Sequence, residues 1–142
     1  MGLETDAFVL EPLGPEHNDR DHRAWSSSIG HIRATPGFGG DHPDPWPYPM
    51  TLAENLADLE MHARHVHERT GFTYTVLDPA DRDVIGCVYV YPDRTGETEA
   101  AVRSWVTASR AELDAPLWRA VSAWLASDAW PFARVRYAPR VP

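Results

Sequence analysis

The sequence predicts a mixed α/β domain of the α+β kind: a mostly antiparallel five-stranded sheet, its last two strands parallel, flanked by three helices. Three observations carry this. From Phe72 onward, short segments rich in Val, Tyr and Phe recur with polar turns between them. A long amphipathic pattern precedes them, and a second helical pattern stands between the last two strands, where a parallel pair needs a crossover. At 142 residues, the chain has the length of a single domain spanning 1–142, able to bury its own core.

Residues 1–6 are acidic, lack an apolar stretch and are expected to be disordered rather than a signal peptide. Ala7 to Leu13 (AFVLEPL) reads as the first strand, stopped by Gly14-Pro15. From Glu16 to about Thr35, His22, Trp25, Ile29 and Ile32 or Arg33 fall at helical spacing, with Gly30 as the place for a break. Residues 36–50 form a loop rich in Pro, Gly and aromatics (PGFGGDHPDPWPYP from Pro36 to Pro49), kept extended by its X-Pro steps.

Thr51 to Thr70 is the strongest helix. Thr51-x-x-Glu54 is a capping box, Leu52, Leu56, Leu59, Ala63 and Val66 make one apolar stripe, and Gly71 is a C-terminal stop. Phe72 to Leu77 and Val84 to Tyr91 follow as strands around the turn Asp78 to Asp83, and Thr98 to Ala108 comes after a turn with Asp93 and Gly96. Such short turns imply an antiparallel meander. A helix then starts near Asp114, read as its N-cap, with Leu117, Val121, Trp124 and Leu125 facing inward. Ala133 to Ala138 alternates like a final strand.

Charge and composition exclude several functions. The net charge is −8, the chain has no Lys, and no run of Arg forms a basic stripe, so a nucleic-acid partner is not expected. A local anion site is still compatible with that total. No apolar run is long enough for a membrane span, and a single Cys87 has no partner for a disulfide, which fits a cytoplasmic protein. Cys87 sits mid-strand, where a small buried thiol packs well; neither it nor Ser26, Ser27 or Ser28 has the setting of a nucleophile. Gly86 beside it marks a bulge or a close backbone approach. His62 and His65 share a helix face with Asp58 and Arg69 at a spacing that permits convergence, but there is no HExxH and no second cluster. A solvated polar face is the expectation, and no metal.

The element order, together with Phe72-Thr-Tyr-Thr-Val-Leu, Val84-Ile-Gly-Cys-Val-Tyr-Val-Tyr-Pro92, Val102-Arg-Ser-Trp-Val106 and Leu117-Trp-Arg-Ala-Val-Ser-Ala-Trp-Leu125, resembles the GNAT N-acetyltransferase superfamily. The resemblance implies acetyl-CoA as cofactor and a small-molecule amine as acceptor. It implies that the backbone of Val106, Thr107 and Ala108 would hold the cofactor arm, and that Arg110 and Ala115 belong to the turn that receives the pyrophosphate at a helix N-terminus. Within that turn, Arg110-Ala-Glu-Leu-Asp-Ala115, Leu113 stands where the family has its first Gly, and Glu112 and Asp114 bring two carboxylates to the anion's place.

Glu99, beside the same strand, is the one candidate for a catalytic base, and no residue matches the family's tyrosine acid by position, since Tyr137 lies on the final strand. The resemblance also places the loop beside the acceptor, so Phe38, Trp46 and Tyr48 are candidate pocket walls, with Asp41, His42 or Asp44 for polar contacts; covering the core or a partner is the equal alternative for these aromatics. The sequence stops short of the helix and two strands that usually follow in the family. That leaves a second reading open: a non-catalytic GNAT-like module that binds another ligand or forms a homodimer through its last strand.

Overall fold

A computed structural model describes residues 2–39 and 45–141. Among these, one sheet of six strands runs in the order β1 (Leu3–Glu4), β2 (Val9–Pro12), β3 (Phe72–Leu77), β4 (Val84–Pro92), β5 (Ala100–Val106) and β6 (Val135–Tyr137). All neighbours are antiparallel except β5 and β6. The four α-helices are α1 (Asn18–Ser26), α2 (Ile29–Arg33), α3 (Leu52–Glu68) and α4 (Asp114–Leu125).

Two counts differ from the sequence reading, which had five strands and three helices. The extra strand comes from residues expected to be disordered: Leu3 pairs with Leu10 and Glu4 with Val9. Thr5 makes that hairpin possible, its hydroxyl accepting from the amides of Ala7 and Phe8. The extra helix arises because the segment after Glu16 breaks at Ser27-Ser28, not at Gly30, which lies inside α2. Ser27 Oγ donates to the Ala24 carbonyl at 2.7 Å, and the Ser28 hydroxyl accepts from the distant Ala108 amide at 2.9 Å. Both serines thus satisfy backbone groups in a way that competes with a continuous helix.

α3 begins as expected. The Thr51 amide donates to Glu54 Oε1 at 2.8 Å, and the Glu54 amide to Thr51 Oγ1 at 3.1 Å. Its end is Arg69 in the left-handed region (φ 61°) rather than Gly71. The apolar stripe is also thinner than its spacing suggests: Leu52 is exposed, and the residues α3 buries are Leu59 and the polar Asn55.

Strand alternation sorts the core into two layers. Tyr74, Val76, Val88, Val90, Val102 and Val106 face α4, where Leu117, Val121 and Trp124 meet them with Trp130. Leu77, Cys87, Tyr89 and Trp105 face the opposite side, under Trp25, Ile32, Phe38 and Leu59. Gly86 fits the expected close approach, since a Cβ there would lie 2.5 Å from the Trp105 carbonyl oxygen of the adjacent strand.

Candidate functional site

β5 and β6 pair only from Ala100 with Val135 to Val102 with Tyr137, while β5 continues to Val106. Beyond Val102 the two strands part. The gap is filled from the C-terminal side by Arg140, which is 6% exposed. Its Nη2 donates to the Ser104 carbonyl at 2.9 Å and, more weakly, to that of Pro36 at 3.4 Å; its Nη1 donates to the Ala138 carbonyl at 2.6 Å, and its Nε to Asp114 Oδ2 at 2.9 Å. Asp114 Oδ1 is buried without a hydrogen-bond partner. Below the guanidinium, the Tyr137 and Ser104 hydroxyls lie 2.6 Å apart. Burial pushes the Tyr137 phenol up to about 12.

The turn after β5 is a 3-10 helix, Ala108–Leu113, so helical bonding starts before α4 and Leu113, not Asp114, takes the N-cap position. Asp114 therefore lies inside the first turn, where its carboxylate holds Arg140 instead of capping backbone. The amides expected to receive a cofactor have partners within the chain. The Thr107 amide donates to the Ile85 carbonyl, that of Ala108 to Ser28 Oγ, and that of Arg110 to the Thr107 carbonyl. Val106 and Ala115 are buried.

Arg110 itself is paired: Nη1 lies 2.7 Å from Asp78 Oδ2, and Nε 3.6 Å from Glu112 Oε1. The Asp78 bond raises the Arg110 guanidinium above its ordinary value and lowers Asp78. In this conformation the turn does not fit a pyrophosphate, and the parted strand edge is occupied by Arg140. A depression of about 250 Å³ beside the turn offers no better anion site, because its Arg23 faces Asp83 and its Arg110 faces Asp78.

Glu99 lies at the other end of β5. Its carboxylate accepts from the amides of Arg134 (2.8 Å) and Ala133 (3.2 Å), and the Arg134 bond in particular holds it below its ordinary value. Such a carboxylate staples β6 to the sheet; it is not positioned as a base for a substrate in the gap or in the cavity described next.

That cavity lies on the α1/α3 face, measures about 240 Å³, and is lined by Asp21, Trp46, Tyr48, Asp58, Tyr89 and Arg103 among others. Of the three aromatics expected to wall a pocket, Trp46 and Tyr48 do so; Phe38 is buried behind Trp46, with ring centroids 6.0 Å apart. The Arg103 guanidinium sits 4.7 Å above the Phe38 ring and 5.1 Å from that of Tyr89, and donates to the Gly37 carbonyl. Because Pro36 accepts from Arg140 and Gly37 from Arg103, the start of the loop ties the strand gap to the cavity. Asp41, His42 and Asp44 lie outside the described residues.

Deep in this cavity is a group the sequence did not single out. Asp21 on α1 is buried, and Oδ2 accepts from Asn55 Nδ2 at 3.0 Å. Asn55 also donates to Asn18 Oδ1 and accepts from Trp25 Nε1. Burial pushes the Asp21 carboxyl up to about 6, against the opposing pull of Asn55 and of His17 and His22. His62 and His65, expected on a solvated face, both point Nδ1 at the Tyr91 hydroxyl, 2.9 Å from each. Among the described residues no three His, Cys, Asp or Glu side chains are grouped to hold a metal, and no helix is long and apolar enough to cross a membrane. Cys87 is fully buried, which pushes its thiol well up and leaves it inert.

The chain has the fold of the GNAT superfamily. Solved structures that superpose on it include the ribosomal-protein-S5-alanine acetyltransferase of Vibrio fischeri (TM-score 0.68, 13% identity, 89% of this chain and 67% of that one). They also include the ribosomal L7/L12 α-N-protein acetyltransferase RimL in complex with coenzyme A (TM-score 0.67, 9% identity, 88% and 66%). A third is the microcin C7 self-immunity acetyltransferase MccE in complex with acetyl-CoA and AMP (TM-score 0.65, 9% identity, 88% and 65%). The chain spans about two thirds of the length of these structures. No family sequence model and no curated protein sequence matches it.

Proposed function

We propose that the protein transfers an acyl group, acetyl in the first instance, from a coenzyme A thioester to the amine of a small molecule. The observation that carries this is the parting of β5 and β6 beyond Val102 in a GNAT fold, which leaves the Ser104 to Val106 edge with no sixth strand beside it. The complexes of RimL with coenzyme A and of MccE with acetyl-CoA support the choice of donor. The acceptor's place is the cavity walled by Trp46 and Tyr48, one residue along β5 from the gap through Arg103.

Acetyl-CoA binding on this reading requires that Arg140 leave the gap, and the Ser104 and Tyr137 hydroxyls then line it. Calorimetric titration of the wild type and of Arg140→Ala with acetyl-CoA tests the proposal. Binding is expected for both, tighter for the variant. No heat from either at about 1 mM cofactor refutes it.

A further inference from the structure

The geometry points to a transition-metal site, suited to Cu(II), held by His62 Nδ1, His65 Nδ1 and Tyr91 Oη between α3 and the end of β4. It stands independently of the acyl-transfer reading.

Three donor atoms already converge there. Each ring nitrogen lies 2.9 Å from the phenol oxygen. A phenol has one proton and cannot donate it to two rings. It donates to one, and the other ring must carry its own proton on Nδ1 and donate back. A metal ion takes the place of those two protons and keeps the same three atoms around it. The third donor is a phenol rather than a carboxylate or thiol, which is why the spacing of His62 and His65 on α3 does not by itself announce a site.

The distances suit a square-planar centre. Imidazole nitrogens bind at about 2.0–2.1 Å, so two ligands at right angles are about 2.9 Å apart. Each ring nitrogen stands at that separation from the phenol oxygen. Two imidazoles on opposite sides of an ion, with ring centres roughly 1.15 Å behind the nitrogens, have centroids about 6.4 Å apart. The His62 and His65 centroids are 6.4 Å apart. Square-planar nitrogen and oxygen sets favour Cu(II) and Ni(II), and Cu(II) binds most tightly of the first-row divalent ions.

The surroundings seat the phenol. The Tyr91 ring lies over Gly71, where a Cβ would collide with it, so the glycine that reads as a helix stop makes room for a ligand. Burial raises the Tyr91 phenol, and a hydrogen bond from the Thr73 side chain opposes that rise. Thr73 is itself buried, with Oγ1 3.1 Å from His62 Nδ1. A bound cation favours the phenolate further. His62 lines the cavity, which gives an ion, and a water as fourth ligand, a way in from solvent. On loading, the phenol proton is released, and the ring that loses its Nδ1 proton takes one up on Nε2. The net change is one proton released per ion.

The test titrates chelator-dialysed protein with Cu(II) near neutral pH, without acetyl-CoA. Wild type is expected to take up one equivalent with a Kd of about 1 µM or tighter and to develop a visible phenolate-to-copper charge-transfer band. Free Cu(II) at roughly tenfold the Kd should raise Tm by about 5 °C, and a chelator should reverse the rise. Tyr91→Phe, which keeps the ring over Gly71, loses the band and binds about tenfold more weakly. His65→Gln, at a half-buried position, weakens binding by at least as much, whereas His67→Gln, exposed on the same helix, leaves band and affinity unchanged. No visible band in folded wild type, a band that survives Tyr91→Phe, or equal copper affinity of wild type and His65→Gln overturns the proposal.

Discussion

Arg140→Ala is the most informative single change, because the structure fixes what it removes. The side chain is 5% exposed and its partner Asp114 24%, so the pair is largely screened from water. Truncation deletes the bond to Asp114 and those to the carbonyls of Ser104 and Ala138. It also leaves Asp114 with neither oxygen paired, since Oδ1 has no partner to begin with. Breaking one side of a buried ion pair costs about 3–5 kcal/mol, and the partial exposure of Asp114 puts this case near the lower end, about 3 kcal/mol. For a domain of this size that is a fall in Tm of roughly 10 °C. Urea denaturation of Arg140→Ala, Asp114→Ala and the double variant measures the coupling, expected at about 2 kcal/mol. A loss below about 1 kcal/mol with no coupling would show that Arg140 merely lies in the gap and does not hold it closed.

Three other outcomes follow from the same geometry. In the folded state the Asp21 carboxyl is raised from 3.8 to about 6, so between those values the native protein keeps a proton that the unfolded chain has released. Stability from this group therefore falls as pH rises through that window, on the order of 3 kcal/mol in all, and Asp21→Asn is expected to be the more stable protein at pH 7.5; a wild type equal to the variant in urea midpoint from pH 4.5 to 7.5 contradicts it. Gly86→Ala drives a Cβ into the Trp105 carbonyl and should cost about 1–3 kcal/mol by chemical denaturation, and a neutral result would mean that β4 and β5 shift apart freely. Glu99→Gln should keep acyl-transfer kcat/KM while lowering stability in the range where the wild-type carboxylate is ionised, above its ordinary value, and a large loss of turnover would restore it as the base.

What the sequence made legible were features encoded within a few residues. The capping box at Thr51 and Glu54, the meander from Phe72 to Val106 and the crossover to the last strand are local or periodic, and the structure contains them. Asp114 is the instructive failure: its type suits an N-cap, but the preceding residues coil into a 3-10 turn and move the helix start upstream. Trp46 and Tyr48, which line the cavity, stood out because an aromatic loop is conspicuous. Asp21, Asn55 and Arg140 did not, because each is an isolated polar residue whose side-chain partner is at least 26 positions away. Their roles exist only after burial removes the alternative of hydration, and no spacing announces that.

The short pairing of β6 has a kinetic consequence. Its ladder to β5 spans Ala100 to Val102, and its other polar ties are the Tyr137 hydroxyl with that of Ser104, Arg136 to Asp93, Arg134 to the Glu97 carbonyl, and the Glu99 carboxylate on two amides. The central strands β3 to β5 carry the long ladders and the deepest side chains. Native-state hydrogen exchange should therefore divide the sheet, with Val135 to Tyr137 opening far below the global unfolding free energy and the central amides opening only with it. Arg140 follows three residues after Tyr137 and is held separately by Asp114 and the Ser104 carbonyl, so it leaves the gap only when those bonds break as well. The opening frequency of that edge then sets an upper limit on the rate at which any ligand enters between the strands.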